Sequence, residues 1–362
     1  MVFGILFLLP AIIAFAVFAF GHREITIKEF GVQVVAQAIV AALSVAVVYS
    51  SNTSDSEVWN GQVTSKESRR VSCGHDYRCH CRQVCTGSGK KRSCSTRCQT
   101  CYRHSYDMNW EVRSTIGDFR ISRLDSQGLN EPPRWTSVKV GDPVAETHSY
   151  ENFIKAAPGT LFRHQGLLAK YEGKIPEYPL NVFDYYNLNR VVLVNGANLP
   201  DLLAWNAGLA RLNGELGKAK QVNVVLVVVK DLGGEFSQAL GQAWLGGKKN
   251  DVIVVIGTPD NQTVTWSYVM SWTDRQILKV KLRDAVLDVG KLDKDAILAS
   301  TKYLIEQHYV RKEMKDFVYL KGSITPTVTQ FVVSLIFGVL VAAGLSYFFY
   351  HNDLFETRKR RW

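Results

Sequence analysis

Seven cysteines fall within 29 residues of this chain: Cys73, Cys79, Cys81, Cys85, Cys94, Cys98 and Cys101. Thiols at that density do one of two things. In an oxidising compartment they pair as disulfides and hold together a segment too small to bury a core of its own. Three bridges then leave one thiol over. In a reducing compartment they ligate zinc. Cys98-x-x-Cys101 has knuckle spacing, and Cys79-His80-Cys81 with His75 or His104 would complete tetrahedral sets. Spacing does not fix connectivity, so both readings stand at this point. The region is also basic. From Gly61 to Arg113 there are eleven Lys and Arg against four Asp and Glu, which is +7 of the chain's +10. A cationic knob suits an anionic partner.

A second set of candidates is acidic. Asp231 and Asp260 each follow an apolar run, Val224–Val229 and Val252–Ile256. In open α/β sheets, ligands sit beyond the carboxyl ends of strands. If these acids meet Asp274, hard oxygen donors for calcium or magnesium are assembled; otherwise each faces water. The chain has no G-x-S-x-G elbow, no Walker loop and no H-E-x-x-H pair.

The elements that carry these residues divide the chain sharply. Three apolar stretches have membrane-spanning length: residues 1–21, 31–50 and 328–350. A short turn at 22–30 carries Arg23 and Lys28, and the tail at 351–362 ends Arg358-Lys359-Arg360-Arg361-Trp362. Positive flanks stay in the cytoplasm. The expectation is a multi-pass protein with its N-terminus outside, its C-terminus cytoplasmic and its body periplasmic. No Asp, Glu, Lys or Arg interrupts the spans, which argues for anchors rather than an ion path. Small residues recur at every fourth position, as Ser334, Gly338, Ala342 and Ser346 and as Ala38, Ala42 and Ala46. Such stripes pack helices against each other or against a second copy.

Between the anchors, residues 51–170 read as a β-rich domain. Val58–Lys66 and Met108–Ile116 are strands that pair around a cysteine-rich insertion at 72–104. Phe119–Ile121, Trp135–Val140 and Val144–Thr147 add strand-like pieces. A connector at 171–182 leads into alternating strands and helices at 183–320, the pattern of a layered α/β domain. Arg190–Asn195, Asn223–Val229, Val252–Ile256 and Thr263–Trp272 read as strands. Helices begin at Asn198-Leu199-Pro200-Asp201 and cover Gly234–Leu245 and Asp295–Met314.

One run within 183–319 is more specific: the strand Val224–Val229, Asp231-Leu232-Gly233-Gly234, the helix Phe236–Trp244, Leu245-Gly246-Gly247-Lys248-Lys249-Asn250-Asp251 and the strand Val252–Ile256. It resembles the TPM domain of thylakoid acid phosphatase-like and photosystem-repair proteins, whose members are typically tethered outside the cytoplasm. Trp244-x-Gly246 and the Lys-Lys-Asn-Asp turn carry the likeness. The resemblance implies an α/β TPM-like fold. It also implies an alternative function as a metal-dependent phosphoester hydrolase, with a divalent ion at Asp231, Asp251 and Asp274. The chain departs from the family where a Gly-x-Gly-x-Glu stretch is expected, reading Trp266-Ser267-Tyr268-Val269-Met270-Ser271-Trp272 instead. The cysteine-rich part with Trp110 also resembles uncharacterised membrane proteins of large tailed phages.

These readings favour a non-enzymatic scaffold, anchored in a lipid bilayer, whose partner is an anionic envelope component or a membrane protein. Compartment argues against nucleic acid. Spans two and three leave a homo-oligomer open, and a pore or holin-like role is the third reading. The expectation is no cofactor, with calcium or zinc as the ions the donor sets would accept.

Overall fold

A computed structural model describes residues 2–20, 25–87, 93–161, 165–180 and 189–352. The basic flanks Arg23 and 358–361, with Lys90, Lys91 and Arg92 of the cysteine region, lie outside the described residues, as does 183–188 at the start of the expected α/β domain.

The first half of the chain runs α1 (Val2–Phe20), α2 (Ile27–Thr53), β1 (Ser54–Val71), β2 (Asp76–Thr86), β3 (Ser93–Tyr102), β4 (Asp107–Ser114), β5 (Asp118–Ile121), α3 (Pro133–Ser137), β6 (Pro143–Glu151), α4 (Phe153–Ala156), α5 (Pro158–Leu161) and α6 (Gln165–Lys170). The second half runs β7 (Val191–Val194), α7 (Leu202–Lys220), β8 (Asn223–Lys230), α8 (Glu235–Ala243), β9 (Asp251–Thr258), β10 (Trp266–Ser271), α9 (Ile277–Val289), α10 (Lys294–His308), a 3-10 helix (Met314–Ser323) and α11 (Val328–His351). These elements form two compact units. One holds Met1–Ser56, Ser149–Gly166 and Glu313–Trp362; the other holds Glu57–His148 and Leu167–Lys312.

The first unit is mainly helical. Two of its helices, α2 and α11, are long and apolar enough to cross a membrane. Among the described residues two candidates stand where three spans were expected: α1 is a 19-residue apolar helix with Pro10 inside, of which Leu8–Phe20 is counted as a shorter apolar helix. Helix α2 also starts earlier than expected. Thr26 and Glu29 form a reciprocal capping box that satisfies the first free N–H groups, so the expected turn at 22–30 gives way to helix from Ile27. Of the α11 stripe, Gly338, Ala342 and Ser346 are buried and Ser334 is partly exposed, and Gly338 lies under the Pro10 ring. The α2 stripe differs, since Ala38, Ala42 and Ala46 are exposed. Its buried side instead carries Glu29, Gln33, Gln37 and Ala41. Gln330 donates to Ser51 Oγ and Asn52 Oδ1 (2.8 Å to the latter), tying the ends of the two long helices.

The second unit contains two four-stranded sheets and a ribbon. The first sheet has the order β5-β4-β1-β6, with β1 antiparallel to β4 as expected from the strands around the cysteines. Val63, Trp110, Val112, Phe119, Ile121, Val138 and Val144 form its core. Trp135–Val140 is not a strand. Pro133 occupies the first turn of α3, where its missing N–H costs nothing, and Trp135 packs edge-on against Trp110 at 4.8 Å.

The second sheet has the order β10-β9-β8-β7, with β7, β8 and β9 parallel and β10 antiparallel. Alternate strand residues feed two cores. Val224, Leu226, Val254 and Ile256 meet α7, α9 and α10 on one face. Val225, Val227, Ile253 and Val255 meet α8 on the other. Burial on both faces is why β8 and β9 read as unbroken apolar runs. Asp201 caps α7, accepting from Ala204 N at 3.0 Å. Helix α9 was not anticipated, although Leu278, Leu282 and Val286 repeat at helical spacing and are fully buried. Helix α10 stops at His308, short of the expected Met314, because Val310 and Arg311 turn back to Thr273.

Candidate functional site

The cysteine-rich segment folds as a two-stranded ribbon, β2 paired with β3. Almost every side chain on it is exposed, including Arg78, Arg82, Arg97, Tyr77 and Tyr102. An isolated hairpin without an apolar face is marginal in water, so order must come from covalent links. Three disulfides supply it: Cys85–Cys94, Cys81–Cys98 and Cys79–Cys101, nested as rungs from tip toward base. Antiparallel pairing makes this possible, because residues equidistant from the turn meet across the ribbon. The zinc sets containing Cys79, Cys81, Cys98 or Cys101 are therefore closed, since bridged sulfurs are not thiolates. Cys79, His80 and Cys101 still lie together, but two of the three are joined.

Cys73 is the remaining cysteine; it is unpaired and buried. It sits where β1 hands over to β2. Facing it, where β3 hands over to β4, are His104 and Asp107. With His75 these side chains place one ligand atom each within 4.8 Å of one another. Cys73 Sγ is 3.7 Å from His104 Nδ1, and His104 Nδ1 is 3.3 Å from Asp107 Oδ1. His75 Nδ1 is 3.6 Å from Asp107 Oδ2. That nitrogen is buried and makes no hydrogen bond.

The surroundings hold the set in place. Asp107 Oδ2 accepts from Gly74 N at 3.0 Å and Arg123 Nη1 at 2.8 Å, while Arg123 Nη2 donates to Asn109 Oδ1 at 2.7 Å. The Gly74 N–H, with Arg123, Cys73 and His104, holds the Asp107 carboxyl far below the ordinary carboxylate range despite its burial. The His75 N–H donates to Cys73 Sγ at 3.4 Å. A hollow of about 510 Å³ opens beside the set, lined by His75, Asn109, Arg120, Arg123 and Asp125. Sequence reasoning named His75 and His104 but not Asp107. The overlooked signal is symmetric: Cys-x-His precedes the ribbon and His-x-x-Asp follows it.

The acidic set fares differently. Among the described residues, Asp231, Asp251 and Asp274 belong to no cluster of three ligands. Asp231 is exposed in a left-handed turn, with φ 53°. Asp274 is exposed and accepts from Lys312 at 2.8 Å. Asp260 closes its own loop, accepting from Gln262 N and Thr263 N, which lowers its carboxyl to about 2. Asp251 is fully buried. It accepts from Tyr178 Oη at 2.8 Å, Asn223 Nδ2 at 2.8 Å and Lys248 N at 2.7 Å. Burial pushes this carboxyl up, against the pull of those donors and of Arg190.

No protein-family model, curated protein or solved structure matches this chain. The residues that carried the TPM likeness nevertheless have visible work. Trp244 Nε1 donates to Pro176 O at 2.9 Å, and Gly246, at positive φ, lies against the Trp272 ring where a Cβ would come within 3.0 Å of it. The Lys248–Asp251 turn reaches the first sheet: Asn250 Nδ2 donates to Val58 O at 2.7 Å, and Lys249 pairs with buried Glu57 at 3.5 Å. Here the turn is a fastening between sheets.

Proposed function

We propose that this chain is a membrane-anchored protein that acts by contact outside the cytoplasm. The α/β layer, TPM-like in its arrangement, is the rigid base, and the cationic ribbon is the binding element for an anionic envelope component. The disulfide ladder on a solvent-exposed ribbon is the observation that carries this reading. Three bridges hold a segment with no core, and such bridges persist in oxidising compartments. Arg78, Arg82 and Arg97 stand out from that frame in exposed positions, where a polyanion can reach them. The long apolar helices α2 and α11 bracket the body in sequence, which suits an anchor at both ends. The scattered placement of Asp231, Asp251 and Asp274 offers no support for metal-dependent phosphoester hydrolysis.

The test is binding of the full chain, purified in detergent without reductant, to vesicles rich in phosphatidylglycerol. Binding is expected to weaken steeply with salt and to fall at least about tenfold in Arg78→Ala/Arg82→Ala/Arg97→Ala. Equal retention on neutral phosphatidylcholine vesicles, or an unchanged affinity in the triple variant, would overturn the reading. Sidedness is read separately. After reduction, a membrane-impermeant thiol reagent added outside intact cells with an opened outer envelope is expected to label the ribbon cysteines.

A further inference from the structure

The neck of the ribbon has a chemistry that contact with a polyanion does not use. Two short segments meet there, 72–75 and 103–107, joined by Arg103 N to His75 O at 3.0 Å. They bring together sulfur, two imidazoles and a carboxylate.

We propose that Cys73, His75, His104 and Asp107 bind one zinc ion, through Sγ, both Nδ1 atoms and Oδ1. The ion is the fourth rung of the ladder, following Cys85–Cys94, Cys81–Cys98 and Cys79–Cys101 down to the sheet. The distances fit this assignment. With Zn–S of about 2.3 Å and Zn–N or Zn–O of about 2.0 Å, a tetrahedron sets sulfur and nitrogen ligands about 3.6 Å apart and nitrogen and oxygen ligands about 3.3 Å apart. The corresponding separations here are 3.7 Å for Cys73 Sγ to His104 Nδ1 and 3.3 Å for His104 Nδ1 to Asp107 Oδ1. Oδ2 is already taken by Gly74 N and Arg123, which leaves Oδ1 facing the imidazole. That is how a second shell aims a carboxylate ligand. The His75 N–H on Sγ is a donor suited to a thiolate. The buried, unbonded Nδ1 of His75 is a lone pair otherwise wasted.

The donor set chooses the metal. One thiolate, two imidazoles and one carboxylate suit zinc, whereas calcium takes six to eight oxygens. Binding releases the thiol proton of Cys73, and the resulting thiolate with the Asp107 carboxylate neutralises a divalent ion. The open hollow on the His75 side is the way in. Zinc also accounts for the odd cysteine: a metal-held thiolate beside three disulfides is withheld from exchange with them.

The experiment uses full-length protein purified in detergent without reductant from zinc-replete cells. Metal analysis is expected to find about one zinc per chain. Replacing it with cobalt should give tetrahedral visible bands and a thiolate-to-cobalt charge-transfer band. Cys73→Ser should remove the charge-transfer band, and His104→Ala should lower metal content, while His80→Ala changes neither. Non-reducing mass analysis confirms that the variants keep three disulfides. Where a variant does not fold, the wild type decides alone: Cys73 should resist alkylation until a chelator strips the metal. Trace zinc with no cobalt spectrum, undiminished zinc in Cys73→Ser, copper in place of zinc, or full alkylation of Cys73 before chelation would each overturn the assignment.

Discussion

Asn250 donates its side-chain N–H to the main-chain carbonyl of Val58, 2.7 Å away and out of solvent. One residue of a turn in the α/β layer thereby closes a valence of the first strand of the other sheet. Nearby, Asn60 donates to Val222 O and Asn223 Oδ1, and Asn223 donates on to Asp251. The junction is a buried polar network with few substitutes for any member. Asn250→Ala leaves the Val58 carbonyl buried and unpaired and is expected to cost about 1–3 kcal/mol. Thermal unfolding of the full chain in detergent measures it; an unchanged midpoint would show the bond to be incidental.

The same junction is close-packed at backbone level. A Cβ on Gly217 would stand 1.9 Å from Asn60 O, whereas one on Gly233 would meet nothing within 4 Å. Gly217→Ala should therefore destabilise by about 1–3 kcal/mol through forced displacement of β1, and Gly233→Ala should be close to neutral. Equal midpoints for the two variants would contradict the packing described.

Asp251, Asp231 and Asp274 separate in a way that a shared metal site does not allow. Loss of Asp251 leaves the Asn223 amide, the Tyr178 hydroxyl and the Lys248 N–H without their acceptor, so Asp251→Ala should cost about 1–3 kcal/mol and accumulate poorly. Asp274→Ala breaks only a half-exposed pair with Lys312, worth about 0–1 kcal/mol. Asp231→Ala should leave folding intact. Added calcium is expected to shift none of the unfolding midpoints; a calcium-dependent rise lost in all three variants would restore the metal reading.

Asp260 supplies a pH dependence whose sign is fixed. Its folded carboxyl lies at about 2, below its ordinary value of 3.8, because Thr263 and Gln262 donate to the anion. The loop's contribution is therefore complete above about pH 4 and is lost as pH falls through about 2. Asp260→Asn should flatten that part of the stability–pH curve. Parallel curves for wild type and variant would exclude it.

The ladder closes loops of 9, 17 and 22 residues. Each bridge contributes about 2–4 kcal/mol to the ribbon through the unfolded chain. Reduction should expose Arg78, Arg82 and Arg97 to trypsin while the two sheets remain protected, since neither contains a bridge. Simultaneous cleavage throughout would mean that the ribbon and sheets unfold together.

Local pattern alone was enough for much of this molecule. Unbroken valine and isoleucine runs specified β8 and β9, because a strand buried on both faces has no polar side to alternate. The stretches Val58–Lys66 and Met108–Ile116 marked the strands that flank the cysteines, and uninterrupted apolar length marked α2 and α11. What the sequence left open depends on partners far away along the chain. The choice between disulfide and zinc needed the β2–β3 register, because pairing is decided by which residues stand opposite each other. Asp107 joined Cys73 only through that same register, 34 positions on. Ala42 and Ala41 are neighbours of equal chemistry, yet rotation of α2 exposes one and buries the other. Asp251 looks, in sequence, like any acid at a strand's edge; only the donors Tyr178, Asn223 and Lys248 N converging on it make it a buried structural acceptor instead of a ligand.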